Sequence, residues 1–136
     1  MELKTLNEIE IISAPHSKIS EVDFENLTFG NVFTDHMLVC DYVDGAWQKP
    51  VIEPYAPFMI DPSAKVFHYG QAIFEGMKAY KDEQDDVWLF RPDENYHRFN
   101  KSATRMAMPE VPEDIFLGGL HRLLEIEKEW VKKGKG

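Results

Sequence analysis

Ionisable and aromatic side chains concentrate around a glycine in one short stretch, HYGQAIFEGMKAY, which runs from His68 to Tyr80. Such a stretch could line a pocket for a cofactor or a substrate, because it offers aromatic rings, a carboxylate and an ammonium group within a few residues. The same composition also fits a strand with a buried aromatic face. The residues alone do not separate these two interpretations.

Arg98 is the candidate residue for holding an anion. It follows Asn95 by three residues in a segment with helical signals, so the two side chains share one face of the predicted helix. The planar guanidinium is permanently charged and suits a phosphate. The alternative is a surface ion pair with Glu94, four residues earlier, and the spacing by itself favours that pair.

Other sequence patterns with recognisable chemistry do not occur. The sequence contains no GxGxxG, no GxxxxGK[ST] and no GxSxG. The five histidines lack the paired spacing of a metal site, so we predict no metal. The single cysteine, Cys40, follows an apolar run and is interpreted as a small buried residue rather than a reactive thiol.

Composition excludes several classes of protein. With 136 residues, 43% of them hydrophobic and 12% aromatic, the chain is long enough for one folded domain. A net charge of −9 argues against binding to nucleic acid or to an anionic membrane surface. The first residues, MELKTLNEIEII, do not resemble a signal peptide, and no run approaches the ~18 apolar residues of a membrane span. With one cysteine and no internal disulfide, we expect a cytoplasmic protein.

The elements that must position these residues begin with a predicted hairpin. We interpret residues 1–30 as an extended arm with one short element. Strands are predicted from Met37 to Tyr42 and from Trp47 to Ile52, because Asp44-Gly45 between them is a strong turn signal. Prolines indicate that the second strand is an edge strand leading into an irregular connection: Pro50, Pro54 and Pro57.

A second hairpin is predicted further along the chain. Asp61-Pro62-Ser63 begins a turn or a short helical piece. Residues 74–80 are then predicted to form a strand, residues 81–86 an acidic solvated turn, and residues 87–90 the returning strand.

Two helices are predicted to follow the hairpins. The first begins at Pro92 and runs to about Met106. The second begins near Pro112 and carries an apolar stripe at helical spacing, interpreted as core: Phe116, Leu120, Leu123, Leu124 and Trp130. Gly118-Gly119 inside this helix would be explained by close packing against a neighbour. The predicted fold class is therefore α+β, with an antiparallel sheet of hairpins and two C-terminal helices.

Four segments, in this order, resemble the branched-chain group of class IV pyridoxal-phosphate aminotransferases. They are FGNVFTDHM from Phe29 to Met37, HYGQAIFEGMKAY, LFRP from Leu89 to Pro92 with Asn95 and Arg98, and the end of the last helix at Glu129-Trp130. The resemblance extends from about residue 27 to the C-terminus, and residues 1–26 do not take part in it. Over 27–136 it implies the small N-terminal domain of a fold-type IV enzyme, and residues 1–26 are then interpreted as an N-terminal arm.

The resemblance also implies roles for individual residues. Arg98 matches the arginine that holds the phosphate of pyridoxal 5'-phosphate, which reverses the preference for a surface ion pair. Phe29, Tyr69 and Phe74 match aromatic residues that wall the pocket for the branched side chain of the substrate. The hydroxyl of Tyr69 could also position the cofactor or the substrate. Lys78 is a candidate for an electrostatic or interdomain contact.

The implied reaction is transamination of L-leucine, L-isoleucine and L-valine with 2-oxoglutarate. In the family, the lysine that forms the Schiff base with the cofactor lies downstream in a large domain, and neither Lys78 nor Lys101 matches it. We therefore expect an isolated small domain that contains no catalytic residue, is inactive alone and binds the cofactor weakly or not at all. Family members pair as dimers, so a homodimer or another homo-oligomer is expected.

Two other readings of the sequence are kept open. One is a sister enzyme on the same fold, a D-amino-acid transaminase or an aminodeoxychorismate lyase. We disfavour it because FTDHM and FEGMKAY resemble the branched-chain group more closely. The other is a free-standing binding or interaction module without catalysis. A stop codon after Gly136 would favour the module, and a following large domain with a lysine would favour the enzyme.

Overall fold

A computed structural model describes residues 9–133 of the chain. Within this span the strands are β1 (Glu10–Ile11), β2 (His36–Val39), β3 (Tyr42–Val43), β4 (Ala46–Trp47), β5 (Val51–Pro54), β6 (Ala79–Lys81) and β7 (Val87–Leu89). The α-helices are α1 (Lys65–Tyr69), α2 (Pro92–Arg105) and α3 (Gly119–Ile126). A π-helical turn at Asp114–Gly118 leads into α3, and 3₁₀ turns occupy Ile19–Glu21 and Lys128–Trp130. The prediction of antiparallel hairpins followed by helices is confirmed.

The first hairpin closes on the predicted turn. Asp44 and Gly45 have φ angles of +52° and +82°, a conformation that asparagine, aspartate and glycine tolerate best. The outer strands β2 and β5 pair antiparallel, with Leu38 opposite Ile52. The inner strands β3 and β4 continue the hairpin towards its tip. Each arm predicted as one strand is thus divided into two short strands.

The prediction that the second arm of this hairpin is an edge strand was wrong. β5 is the central strand of a three-stranded sheet, because β1 pairs with it in parallel on the side away from β2. Pro50 precedes β5 and its carbonyl accepts a hydrogen bond from the Glu10 N–H at 3.3 Å, and Pro54 is the last residue of β5. Prolines at the two ends of a strand leave its middle able to pair on both sides.

The second hairpin is shorter than predicted. β6 and β7 pair antiparallel around the acidic turn, with Tyr80 opposite Trp88, so the hairpin itself is confirmed. Residues 74–78, predicted as part of the strand, have no regular secondary structure. The idea of a buried aromatic face in this stretch was also wrong, since Phe74 is almost fully exposed. Contacts with α2 hold residues 75 and 76 instead.

The helices agree closely with the prediction. Pro92 occupies the first turn of α2, which needs no N–H there, and α2 ends one residue before Met106. The predicted apolar stripe on the second helix is half-buried, while Leu117 beside it is buried. The most buried apolar side chains among residues 9–133 are Ile52, Ala103 and Leu117, which makes a small core.

Gly119 explains why a glycine occurs inside the second helix. A Cβ atom at this position would lie 2.5 Å from Cδ2 of Leu38 on β2, which is closer than packed carbon atoms approach. The missing side chain therefore lets the helix lie against the sheet. The predicted close packing is confirmed.

Candidate functional site

Arg98 on α2 lines a cleft of about 290 Å³ beside the second hairpin. Its lining includes three cationic side chains, Lys78, Arg91 and Arg98, and the carboxylate of Glu94. Arg98 is 61% exposed, so its guanidinium is accessible from solvent. In this cleft Arg98, the residue chosen from the sequence as a candidate for anion binding, lies near two other cationic side chains.

The carboxylate partner of Arg98 is Glu75, not Glu94. Arg98 Nε donates to one oxygen of Glu75 at 3.0 Å and Nη2 donates to the other at 2.9 Å, which is a bidentate ion pair. Glu94 instead accepts from Arg91 at 2.9 Å. The i,i+4 pair expected from spacing was therefore wrong, because a carboxylate outside the helix offers the guanidinium two parallel hydrogen bonds.

The ion pair changes the titration of both side chains. Hydrogen bonds from Arg98 hold the pKa of Glu75 below its usual value, and the Gly76 N–H lowers it further. The same hydrogen bonds raise the pKa of Arg98. Both side chains thus stay charged around neutral pH.

Asn95 ties the Glu75 segment to α2. Its side-chain amide donates to the carbonyl of Gly76 at 3.0 Å, and Asn95 is buried. Asn95 and Arg98 lie on one face of α2, as their spacing predicted. The irregular stretch after Phe74 is consequently held by two side chains of a single helix.

The donors in this cleft fit a phosphate group. Arg98 uses Nε and Nη2 for Glu75, and Nη1 takes part in no hydrogen bond within residues 9–133. The end of the guanidinium therefore retains N–H groups for an anion. The ammonium of Lys78 lies 5.4 Å from the centre of the Tyr80 ring, so it too remains at the cleft. Arg98 and Lys78 are the side chains that could hold the phosphate of a cofactor.

The three aromatic residues predicted to wall a substrate pocket are all exposed. Their exposed fractions are 104% for Phe29, 81% for Tyr69 and 91% for Phe74. Phe74 lines a second cleft of about 840 Å³ along α2, whereas Phe29 and Tyr69 line neither cleft. Within the described residues, the three rings do not form one closed pocket, so their role stays a prediction.

A polar network around two buried carboxylates joins the N-terminal segment, β2 and the last helical turn. We define it as Ser17, Asp35, His36, Glu127 and Trp130. Asp35 and Glu127 are buried. Asp35 accepts hydrogen bonds from the Ser17 hydroxyl, from the Lys18 N–H at 2.9 Å and from the Trp130 indole at 3.1 Å.

The other half of the network centres on His36. Its Nε2 accepts from the Ala14 N–H at 2.9 Å, so the ring proton of the neutral form is on Nδ1. Nδ1 donates to one oxygen of Glu127, whose other oxygen accepts from the Asp35 N–H at 3.2 Å. The sequence analysis included Asp35 and Trp130 only as parts of two separate segments of the family resemblance. It did not predict a contact between them, because they lie 95 residues apart in sequence.

Cys40 behaves as part of the first hairpin. It is half-buried and its Sγ lies 3.2 Å from the carbonyl of Gln48, to which the thiol donates. Burial raises the pKa of the thiol above its ordinary value, and Asp41 and Asp114 raise it further. A raised pKa keeps the thiol protonated, which lowers its reactivity.

Two further searches cover residues 9–133. Over this span the helices are too short, or not apolar enough, to cross a membrane. Over the same span no three side chains of histidine, cysteine, aspartate or glutamate come together in a way that could hold a metal ion.

Comparisons with known proteins relate the chain to one family of transaminases, although no family model matches it. The "Branched-chain-amino-acid transaminase 1" of Bacillus subtilis is 53% identical over 115 residues, which are 84% of this chain and 32% of that protein. The "Probable branched-chain-amino-acid aminotransferase" of Staphylococcus epidermidis is 52% identical over the same shares. The "Branched-chain-amino-acid aminotransferase" of Mycolicibacterium smegmatis is 43% identical over 119 residues.

The extent of these matches defines what the chain corresponds to. It spans about a third of the length of the relatives it matches, and that third is their N-terminal part. Identity of about half over 84% of the chain is far above what unrelated sequences share. The chain therefore belongs to the branched-chain-amino-acid aminotransferase family, of whose members it represents the N-terminal third.

Proposed function

We propose that this chain contributes one wall of the substrate pocket and one phosphate contact to an enzyme that transfers the amino group of branched-chain amino acids to 2-oxoglutarate. The observation that carries the proposal is the 53% identity over 115 residues to a branched-chain transaminase. The cationic cleft around Arg98 supports it independently. In this proposal, residues 27–136 are the small domain of a fold-type IV enzyme and residues 1–26 are an arm.

Pyridoxal 5'-phosphate, when bound, would supply the electron sink that transamination requires. The role of this chain is to bind the phosphate of the cofactor and to orient the cofactor. Arg98 offers its end-on N–H groups to the phosphate, and Lys78 adds a second positive charge at the same cleft. A fixed phosphate fixes one end of the cofactor, and fixing a reactant in place is itself a large part of catalysis.

Specificity for branched side chains would come from Phe29, Tyr69 and Phe74. Rigid aromatic walls exclude water and favour leucine, isoleucine and valine over polar amino acids. Discrimination among these three by one methylene is worth only about 1–3 kcal/mol, so all three are expected substrates. The exposure of the three rings is compatible with this role, because each ring is free to contact a substrate or a further part of the enzyme.

The test uses the polypeptide encoded by the complete reading frame. Formation of glutamate from 2-oxoglutarate is measured with L-leucine, L-isoleucine, L-valine and D-alanine as amino donors. We expect activity with the three L-amino acids and none above background with D-alanine. A preference for D-alanine would replace the proposal by a D-amino-acid transaminase. Absence of bound cofactor and of transamination would favour a non-catalytic module.

Residues 1–136 alone provide a second test. We propose that they are inactive, because no lysine here matches the one that binds the cofactor covalently in the family. Purified protein is titrated with pyridoxal 5'-phosphate while absorbance near the visible edge is followed. We expect no saturable band. A saturable band that disappears when one lysine, Lys78 or Lys101, is replaced would contradict the proposal.

Self-association of the complete polypeptide is proposed on the same grounds. Exposed aromatic residues at a surface tend to become buried between subunits. We expect the mass of a dimer or a larger homo-oligomer in light scattering at high protein concentration, and the mass of a monomer there would count against it. Location in the cytoplasm is also proposed, from the family and from the single cysteine.

A further inference from the structure

Glu75 is the fixed member of its ion pair with Arg98. Its side chain is 14% exposed, against 61% for Arg98. The Glu75 carboxylate also accepts the N–H of Gly76 at 3.1 Å, and the Gly76 carbonyl is bound by buried Asn95. The guanidinium is the long and solvent-exposed partner, so its orientation depends on the carboxylate more than the reverse.

The bidentate contact selects which edge of the guanidinium remains available. Nε and Nη2 face Glu75 at 3.0 and 2.9 Å, which occupies the side-on edge. The end-on edge keeps one N–H of Nη1 and the second N–H of Nη2, and this parallel pair matches two oxygens of a phosphate. Without the carboxylate, an exposed arginine side chain would sample many rotamers, and ordering it would cost entropy when an anion binds.

We propose that Glu75 is a positioning residue for Arg98: it fixes the guanidinium plane so that the end-on edge receives the phosphate of the cofactor. This inference rests on the function proposed above, because that function identifies the anion. Glu75 is anchored through Gly76 to Asn95, which is on the same helix as Arg98. Both members of the ion pair are therefore held in position by α2, Arg98 directly and Glu75 through Asn95.

The Glu75 carboxylate would also repel a phosphate bound close to it. This repulsion opposes the gain in affinity that comes from orienting Arg98. The Glu75 charge is compensated by the guanidinium that it binds, and Lys78 and Arg91 lie at the same cleft. Removal of the Glu75 charge would relieve some repulsion but would release Arg98. We expect the loss of orientation to outweigh the relief, so the variant binds the phosphate more weakly.

The experiment measures cofactor affinity and needs no turnover. Apoprotein from the complete reading frame is titrated with pyridoxal 5'-phosphate and, separately, with pyridoxal, which lacks the phosphate. We expect Glu75→Gln to raise the Kd for pyridoxal 5'-phosphate about tenfold and to leave the Kd for pyridoxal unchanged. The matched control is Glu125→Gln, which removes a carboxylate paired with Arg122 on α3, outside the cleft. It should change neither Kd.

A double variant tests whether Glu75 acts through Arg98. Arg98→Ala should weaken pyridoxal 5'-phosphate binding at least as much as Glu75→Gln, and combining the two should cause no further loss. Unchanged or tighter binding in Glu75→Gln would overturn the inference. So would an equal loss for both ligands, which indicates a merely structural role. Wild-type protein that binds no pyridoxal 5'-phosphate overturns the proposed function itself, an outcome that is distinct because it appears before any substitution.

Discussion

The polar network around Asp35 and Glu127 and the exposed aromatic residues Phe29, Tyr69 and Phe74 are two regions of opposite character in one small chain. In the network, charged groups are buried and carry hydrogen bonds from segments far apart in sequence. The aromatic residues are the reverse, since apolar side chains stand in solvent with no ring stacked on them within the described residues. Polar groups are usually exposed and apolar groups usually buried, and these two regions show the opposite arrangement.

The exchange has a physical reason. A buried carboxylate is costly unless its hydrogen bonds are complete, so a network of this kind must be satisfied inside the folded chain. An exposed aromatic ring costs little in a monomer but gains free energy when a partner covers it. The hydrogen bonds of the network are therefore completed within this chain, whereas the surfaces of the three aromatic rings are left open to solvent. Four predictions test this contrast, beginning with the largest expected effect.

Asp35→Ala should cause the largest loss of stability. It removes the acceptor for the Ser17 hydroxyl, the Lys18 N–H and the Trp130 indole. Donors left without a partner in a buried site are expected to lower the free energy of unfolding by about 3 kcal/mol. Urea denaturation followed by tryptophan fluorescence measures the change. Asp86→Ala, at an exposed carboxylate, is the control and should change little. A loss below about 1 kcal/mol for Asp35→Ala would mean that the network does not stabilise the fold.

Gly119→Ala should have a smaller but clear effect on stability, at the contact between α3 and β2. The added Cβ would lie 2.5 Å from Cδ2 of Leu38, so the leucine side chain must shift and would lose its close contact with α3. Overpacking of this kind is expected to lower the free energy of unfolding by about 1–2 kcal/mol. Gly76→Ala is matched to it, because a Cβ there has no heavy atom within 4 Å. Equal midpoints of thermal unfolding for the two variants would contradict the close packing of helix and sheet.

Lowering the pH should have the third largest effect, a decrease in the stability that the network gives to the fold. Burial acts to raise the pKa of Asp35, but hydrogen bonds from the Lys18 N–H, Ser17 and Trp130 outweigh it and hold the pKa below its usual value. A carboxyl group whose pKa is lower in the folded state stabilises the fold above its unfolded pKa of about 3.9. That stabilisation is lost as the pH falls through the lower folded pKa.

The measurement is a series of urea denaturations between neutral pH and about pH 2. The free energy of unfolding should decrease below about pH 4, and the decrease should be less steep in Asp35→Asn, which has no carboxyl group to protonate. An identical pH dependence in wild type and variant would show that Asp35 does not contribute to it.

Phe74→Ser and Tyr69→Ser should have the smallest effect on stability. Both side chains are exposed, so each change is expected to alter the free energy of unfolding of residues 1–136 by no more than about 0.5 kcal/mol. In the complete polypeptide the same changes should raise the KM for L-leucine. A large loss of stability in the isolated residues would mean that these rings already pack within this chain, and the contrast between the two regions would fail.

Features that depend on neighbours in sequence were predicted well. The turn at Asp44-Gly45 follows from residues that tolerate positive φ, and the start of α2 follows from a proline that suits a first helical turn. The hairpin around the acidic turn was predicted for the same kind of reason. In each case the local backbone preference and the final fold agree.

Features that depend on distant partners were not predicted. The edge or central position of β5 depended on whether β1 would pair with it, which no local pattern reports. The stretch after Phe74 looked like a strand, because its aromatic residues suit strands, but Asn95 and Arg98 hold it in an irregular form. Arg98 was identified as a candidate for anion binding from its residue type and from the family resemblance. Its partner Glu75 was not predicted, because it lies 23 residues away in sequence.

By itself, the sequence determined the family, the order of hairpins and helices, and Arg98 as the residue to examine for an anion. Each of these follows from residue types and short spacings. Such features depend on local backbone preferences and do not require knowledge of tertiary contacts. Only the tertiary structure decided that Glu75 pairs with Arg98, that Asp35 and Glu127 are buried and satisfied, and that Phe29, Tyr69 and Phe74 are left in solvent. The reason is that burial and ion pairing are properties of groups brought together by the whole fold.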